Sequence, residues 1–190
     1  DFTGENVHDG ASRNPHALDH MTGGSSGGSA GSVAAGLVPL SLASDTNGSI
    51  RVPASLCGLF GLKPTYGRLS RAHTFPFVGS LDHLGPLGRS VEDLALAYDA
   101  MQGYDEADPV QMRRPTEATA ARLHYPIPAV RIAVADGYFL GEAEAQDHVR
   151  HVARALEVTR TVTIPDAQAA RAAAFLITMA EGAALHLDRL

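Results

Sequence analysis

The sequence predicts an α/β fold, and three observations lead to this prediction. Residues 129–190 read in the order strand, helix, strand, helix, which is typical of an α/β architecture. The stretch Val38–Ser44 alternates apolar and small residues like a buried strand. It follows Ser29–Leu37, whose small apolar residues suit a closely packed helix. The 190 residues are 45% hydrophobic and 19% charged, as expected for one globular domain or a large part of one.

The remaining elements of the first half are shorter. Residues 1–22 carry glycine, asparagine and proline at turn-forming positions and are predicted as loop with short pieces of structure. Asp45–Ser49 has turn chemistry, because its Asn-Gly pair accommodates backbone angles that most residues avoid. Ile50–Pro64 has the apolar content of a core segment. Residues 64–89 are rich in proline and glycine, and we expect an irregular layer over the core.

The second half contains the clearest helix signal. Ser90 is a predicted N-cap, acidic residues occupy the first turn that follows, and Gly103 lies at the expected end. Residues 104–128 are predicted as a polar surface excursion. The continuation over 129–190 comprises a strand at 129–139, a helix at 142–158, a strand at 159–165 and an Ala-rich helix from 166 onward.

Charge and composition exclude several classes of function. The formal net charge of −6 argues against nucleic-acid binding, which needs clustered lysine and arginine. No run of eighteen apolar residues occurs, so no membrane span is expected. The single Cys57, in an apolar setting, indicates a buried structural thiol and a reducing, cytoplasmic location. The sequence starts in a polar stretch without methionine and stops inside a helical pattern, so we expect one partial domain over 1–190 of a longer polypeptide.

The loop Thr22–Ser32 places five glycines and four serines in eleven positions. A flexible linker is disfavoured because both ends join apolar elements. A phosphate-binding loop is excluded, since no Gly-Lys pair exists in the chain. The remaining interpretation is a loop whose backbone N–H groups approach a ligand while its serines act chemically.

The serine-hydrolase pattern G-x-S-x-G matches at Ser25, Ser26 and Ser29, so it does not single out a nucleophile. A Ser-His-Asp triad would need a downstream histidine, and none lies in a distinctive loop. His16 and His20 have the spacing of a zinc helix without its glutamate. No metal and no cofactor are therefore expected.

A longer segment is far more specific. Residues 22–71 contain GGSSGGS, DTNGSIR, PASLCG and GLKPT in this order, and the whole segment resembles the amidase signature family. The upstream GENVHDGASRNP and the downstream SLDHLGPLGRSVEDLAL fit the same family. The resemblance implies a mixed central β-sheet surrounded by helices, with the reacting serines at loops that border the central strands.

The resemblance also implies an unusual catalytic arrangement. Ser49 corresponds to the nucleophile, and Ser25 corresponds to a bridging serine that follows a cis peptide bond at Gly24. An unprotonated lysine would accept a proton through Ser25, which requires a strongly lowered lysine pKa. The oxyanion would be stabilised by the main-chain N–H groups of Thr46, Asn47, Gly48 and Ser49.

Two positions depart from the family pattern. Asn47 replaces a glycine: asparagine is the best substitute if a positive φ is needed there, and it would also place an amide in the pocket. No lysine precedes Ser25, and Lys63 belongs to the GLKPT motif, a different position from the family's base. We expect this stretch alone to be inactive. Four further residues are candidates either for the scaffold of the turn and loop or for substrate contacts: Asp45, Arg51, Gly24 and Ser26.

The expected function is hydrolysis of a linear C–N amide bond through a serine acyl-enzyme. The segments around the nucleophile most resemble bacterial carboxybiuret hydrolases, so a small polar amide or ureido acid such as carboxybiuret is the expected substrate, with release of ammonia. The protein partners that fit this expectation are a second copy in a homodimer or a small accessory subunit. Two alternatives stay open: a glutaminase-type subunit of a tRNA-dependent amidotransferase, and an inactive binding homologue.

Overall fold

A computed structural model describes residues 2–127, 129–141 and 143–189. The chain divides into two compact units. The first unit comprises Asp1–His124 and Thr178–Leu190, and the second comprises Tyr125–Ile177. Both units combine helices and strands, which confirms the predicted α/β class.

The N-terminal residues form two small antiparallel pairs of strands. Strand β1 (Glu5–Asn6) pairs with β2 (Gly10–Ala11), and β3 (Arg13–Asn14) pairs with β4 (Ala17–Met21). These are the short pieces of structure that the turn-rich sequence predicts.

A three-stranded antiparallel sheet lies at the centre of the first unit. It consists of β5 (Leu40–Asp45), β6 (Phe60–Gly61) and β7 (His83–Gly88), in the order β5-β7-β6. Strand β5 lies antiparallel to β7 from the Leu40–Gly88 pair to the Asp45–His83 pair. The predicted strand at 38–44 is therefore confirmed, although alternate side chains are exposed and the strand is only half-buried.

Two helices pack against this sheet, α1 (Gly27–Ala34) and α2 (Arg51–Leu56). Their small residues permit close approach, and Ala30 and Val33 of α1 are completely buried. The core joins side chains from both helices, from β5 and β7 and from the residues on either side of α2: Ala30, Ala43, Ile50, Ala54, Cys57 and Leu87. The Cys57 thiol is buried, as the sequence predicts, and burial raises its pKa.

Strand β7 corrects the expectation of an irregular layer over 64–89. The segment HLGPLG is the middle strand of the sheet although it contains Pro86. Proline has no N–H to donate, but its carbonyl accepts from Leu62 N at 3.1 Å. A side chain at Gly85 would place its Cβ only 2.0 Å from the Leu62 carbonyl oxygen, so glycine is required for this close approach.

Helix α3 (Val91–Met101) follows β7 directly and confirms the predicted helix. The Ser90 side chain accepts a hydrogen bond from Asp93 N at 3.0 Å, which is the predicted N-cap. Beyond α3 the described residues of this unit contain one 3₁₀ turn at Ala120–Arg122 before the chain passes into the second unit.

The second unit contains β8 (Val134–Ala135) and β9 (Thr161–Val162), which pair in parallel, and helix α4 (Ala143–Ala155). Both strands are shorter than predicted; a 3₁₀ turn at Gly137–Leu140 replaces the end of the first. Helix α5 (Ala167–His186) confirms the predicted Ala-rich helix, and its residues from 178 onward belong to the first unit. Among the helices described, none has the length and apolar character that a membrane crossing requires.

Candidate active site

A cavity of about 930 Å³ opens in the first unit. Ser25 and Ser49 both line it, although they lie on different loops and 24 residues apart in the sequence. Thr46 and Asn47, which precede Ser49 in the same turn, also line it. The structure therefore brings the two serines singled out by sequence to one cavity.

The turn Asp45–Ser49 connects the end of β5 to α2 and is organised by the completely buried Asp45. One carboxylate oxygen accepts from Gly48 N at 2.7 Å, and the other from Ile50 N at 3.1 Å and Arg51 N at 3.4 Å. The Arg51 guanidinium donates to both oxygens, in each case at 3.0 Å. Asp45 thus holds the turn from its inner side and fixes the backbone on which Ser49 sits.

The charge on Asp45 is stabilised where it lies. Burial disfavours ionisation of this carboxyl, but the hydrogen bonds from Arg51 and from the Gly48 and Ile50 N–H groups outweigh it and lower the pKa of Asp45. The hydrogen bond to the Asp45 carboxylate in turn raises the pKa of Arg51. The Arg51 side chain is 55% exposed, so the pair is open to solvent on one side.

The turn differs from the sequence expectation at two positions. Gly48 has a φ of +135°, whereas Asn47 is not in the positive-φ region, so backbone conformation does not explain the asparagine. Instead, the Asn47 amide lines the cavity and donates to Thr178 Oγ1 at 3.0 Å. The Gly48 N–H is directed at Asp45, which makes it a poor candidate for the oxyanion site predicted from the resemblance.

The glycine-serine loop is fixed to the edge of β5 by its hydroxyl groups. The Ser26 hydroxyl donates to the Ser44 carbonyl at 3.2 Å and accepts from Ser44 N at 3.3 Å. The Ser29 hydroxyl donates to the Leu42 carbonyl at 2.8 Å. The Gly24–Ser25 peptide bond is cis, and Ser25 itself is exposed at the cavity. Ser26 is therefore part of the scaffold that presents Ser25.

Sequence reasoning missed the residues that close the other side of the cavity. Asp82 accepts a hydrogen bond from Thr46 Oγ1 at 2.5 Å and lines the cavity. Arg71 also lines it, donates to the Gly79 and Asp82 carbonyls, and lies 3.6 Å from the buried Asp108 carboxylate. The segment SLDHLGP fits the family pattern, but only the folded chain shows which residue Asp82 contacts.

Lys63 lies near the turn rather than in it. Its ammonium donates to the Pro64 carbonyl at 3.0 Å, and burial lowers its pKa, helped by the charge of Arg51 and opposed by Asp45. His83 lines the cavity; burial lowers its pKa, and the charge of Lys63 contributes to the same effect. The Nδ1 atom of His83 lies 2.6 Å from the Leu81 carbonyl oxygen, so this nitrogen is already engaged in a hydrogen bond within the protein.

Of the other histidines, His73 also lines the cavity. His148 and His151 are exposed on α4, next to the Asp147–Arg150 pair. Within the part of the chain that the structure describes, no cluster of histidine, cysteine and acidic residues could hold a metal ion.

The comparisons with known proteins agree with the sequence resemblance. A family model described as Amidase matches residues 1–189. The chain belongs to the amidase signature family. It is 56% identical over its whole length to AtzE, a subunit of the 1-carboxybiuret hydrolase of Pseudomonas sp. (strain ADP), and it covers 42% of AtzE. It is 43% identical over 97% of its length to a glutamyl-tRNA(Gln) amidotransferase subunit of Lysinibacillus sphaericus, of which it covers 39%.

Solved amidase structures give the same result for the fold. A structure described as a vestigial protein complex that reveals the origins of an s-triazine catabolic enzyme superposes with a TM-score of 0.95, at 56% identity and over 98% of this chain and 41% of the other. A glutamyl-tRNA(Gln) amidotransferase subunit of Thermotoga maritima gives a TM-score of 0.84 at 35% identity, over 92% of this chain and 40% of the other. The chain thus spans about two fifths of the length of these amidase relatives.

Proposed function

We propose that the whole protein to which these residues belong is an amidohydrolase that cleaves a linear C–N amide bond through a Ser49 acyl-enzyme. The observation that carries this proposal is the shared cavity of Ser25 and Ser49, because a serine hydroxyl is a weak nucleophile and needs a proton acceptor within reach. Membership of the amidase signature family supports the same assignment of roles.

In the proposed reaction the Ser49 hydroxyl oxygen attacks the carbonyl carbon of the amide. Its proton passes to Ser25 as the proton of Ser25 passes to a basic group, and the relay then reverses to protonate the leaving nitrogen. Ammonia or an amine departs, and water later releases the acyl group from Ser49. The oxyanion formed on attack would accept hydrogen bonds from main-chain N–H groups of the turn, with Thr46, Asn47 and Ser49 the preferred donors.

The basic group of this relay is not supplied by Lys63. Lys63 is the only lysine among the 190 residues, its ammonium is directed at the Pro64 carbonyl, and it is not among the residues that line the cavity. We therefore propose that a lysine from another part of the whole protein completes the relay through Ser25. Replacing Lys63 by methionine should then leave the reaction of Ser49 with an active-site label in place.

The proposed substrate is a small polar amide or ureido acid such as carboxybiuret. Support comes from the 56% identity to AtzE of the carboxybiuret hydrolase and from the polar groups that line the cavity beside Ser49, among them Asn47, Thr178 and Arg71. The protein partner that we propose is a small accessory subunit, because the name of that relative calls it a subunit and the similar structure is described as a protein complex.

The 43% identity to an amidotransferase subunit supports a second candidate, a glutaminase-type protein that passes ammonia to a partner. The two functions differ in what the purified protein does alone. The hydrolase should release ammonia from carboxybiuret without ATP or tRNA, whereas the amidotransferase subunit should prefer glutamine and depend on its partner proteins.

The test uses the whole protein, a fluorophosphonate label and an ammonia assay. Ser49 is expected to be the labelled residue, and Ser49→Ala should abolish both labelling and ammonia release. Ser25→Ala should lower kcat by about a hundredfold or more while the protein still folds, since general acid–base catalysis contributes about 10²–10⁴-fold. Labelling at another residue, or full activity of Ser49→Ala, would refute the proposed mechanism.

A further inference from the structure

We infer that Asp82 is a positioning residue for the turn that carries Ser49, an inference that rests on the proposed function. Asp45 holds this turn from the inner side. The contacts of Asp82 hold it from the cavity side, through the side chain of Thr46.

The two oxygens of the Asp82 carboxylate accept hydrogen bonds from different segments of the chain. One accepts from the Thr46 hydroxyl at 2.5 Å. The other accepts from the backbone N–H groups of Phe77 and Val78, each at 2.8 Å. A single carboxylate therefore joins the turn to the loop 75–82, which contributes five residues to the lining of the cavity.

The loop 75–82 is itself fixed, so it can serve as a support for the turn. The Ser80 backbone N–H and hydroxyl both donate to the Glu181 carboxylate on the last turns of α5. Phe77 packs so closely on Gly182 that a side-chain Cβ there would lie 2.8 Å from the ring. One turn before, Thr178 accepts from the Asn47 amide. Two neighbouring residues of the turn are thus attached to the same support.

These contacts affect the orientation of the backbone N–H groups that would donate to the oxyanion. The Gly48 N–H is directed at Asp45, so oxyanion stabilisation depends on the orientation of the remaining N–H groups, Thr46 among them. A Thr46 side chain held at its hydroxyl has a restricted backbone, and preorganised donors stabilise the transition state more than mobile ones do. Asp82 therefore acts on the oxyanion site through Thr46 and is not one of its donors.

Four single variants of the whole protein test this inference. Thr46→Val removes the hydroxyl but leaves the bonds from Asp82 to its own loop, so it tests the contact without unfolding the loop. It should lower kcat about ten- to a hundredfold with KM changed less than about threefold, because a displaced oxyanion donor costs up to 10²–10³ in rate. Asp82→Ala removes the same contact together with the bonds to Phe77 and Val78 and should lower kcat at least as much, while Thr46→Ser should keep the wild-type kcat. Thr116→Val is the matched control: it makes the same change at an exposed threonine outside the cavity lining, and kcat should stay within about threefold.

The double variant Thr46→Val with Asp82→Ala should be no slower than Asp82→Ala alone, because Asp82→Ala already removes the contact with Thr46. The inference would be overturned if the losses in kcat of the two single variants multiplied in the double variant, or if Thr46→Val kept the wild-type kcat. Amide hydrogen exchange of residues 46–49 gives a readout that does not depend on activity. Exchange should accelerate at least about tenfold in Thr46→Val and stay unchanged in Thr116→Val. If the wild-type protein releases no ammonia, the proposed function fails, while equal exchange rates in all variants would refute the positioning role.

Discussion

Replacing Asp45 by asparagine is expected to damage both the stability of the protein and its chemistry, because this carboxylate organises the whole turn before Ser49. It accepts three backbone N–H bonds and two from Arg51 and is fully buried. An asparagine of the same shape keeps one acceptor oxygen but turns an NH₂ group toward donors on the other side. Hydrogen bonds to charged groups contribute about 1.5–3 kcal/mol each, and we expect a total loss of about 2–4 kcal/mol in the free energy of unfolding.

The ion pair between Asp45 and Arg51 contributes less to stability than the backbone hydrogen bonds of Asp45. Because the Arg51 side chain is 55% exposed, its pair with Asp45 is worth at most about 1 kcal/mol. Arg51→Gln is therefore the matched control and should lower stability by about 0–1 kcal/mol. Loss of one oriented oxyanion donor corresponds to about a hundredfold in rate, which sets the expected fall of kcat/KM in Asp45→Asn. The assays are thermal unfolding and kcat/KM of the whole protein; equal effects of the two variants would refute the argument.

The pH dependence of stability gives a further check on Asp45. Its pKa is lowered in the folded protein, so its contribution is fully present above the ordinary carboxyl pKa of 3.8. It is lost as the pH falls through the lower pKa of the folded state. The difference in melting temperature between the wild type and Asp45→Asn should thus be constant between pH 7 and 5 and shrink below about pH 4. If this difference in melting temperature already shrinks between pH 7 and 5, a group other than Asp45 controls the pH dependence.

Three simpler predictions follow from single contacts. Ser90→Ala removes the hydrogen bond that Ser90 accepts from Asp93 N, should cost about 1 kcal/mol, and should lower the melting temperature by about 2–4 °C, while Ser90→Asp should not. Gly85→Ala should prevent folding into soluble protein, since its Cβ would lie 2.0 Å from the Leu62 oxygen; normal expression with a wild-type melting temperature would contradict this. The Cys57 thiol, buried and with a raised pKa, should resist alkylation at pH 8 until the protein is denatured, and rapid labelling of the native protein would refute that placement.

Elements with local signals could be predicted from the sequence. Helix α3 is specified by its own residues, because the cap at Ser90 and the following acidic turn act within one helical turn. Strand β7 could not be predicted, since Pro86 and Gly85 argue against a central strand when read alone. The neighbouring segment accounts for the pairing: β6 ends at Gly61, and the next residue, Leu62, donates to the Pro86 carbonyl, so the strand is paired through the one backbone group that proline keeps.

The candidate site likewise combines local contacts, which the sequence predicts, with long-range contacts, which it does not. Asp45 lies within six residues of every group it binds, and the sequence alone favours a scaffolding role for it over a substrate contact. Asp82 and Thr178 lie 36 and 131 residues from their partners in the turn, and no sequence pattern relates them. Asn47 shows the difference most clearly, since its backbone does not need the positive φ that a glycine would serve, and its amide is used in a long-range contact.

Substitutions that remove local contacts of the turn should differ in their effect from those that remove its long-range contacts. Contacts from Asp45 set the path of the backbone and are common to any substrate, so variants there should slow the reaction of every amide equally. Contacts from Asp82 and Thr178 come from residues that line the cavity, and in the proposed reaction they would connect the turn to the surface that meets the rest of the substrate. We therefore expect Thr178→Val to change the relative rates on amides of different size, whereas Asp45→Asn should lower all of them by one common factor. Kinetics on a short series of amides would separate these outcomes, and a uniform loss in Thr178→Val would count against a role of the wall in selection.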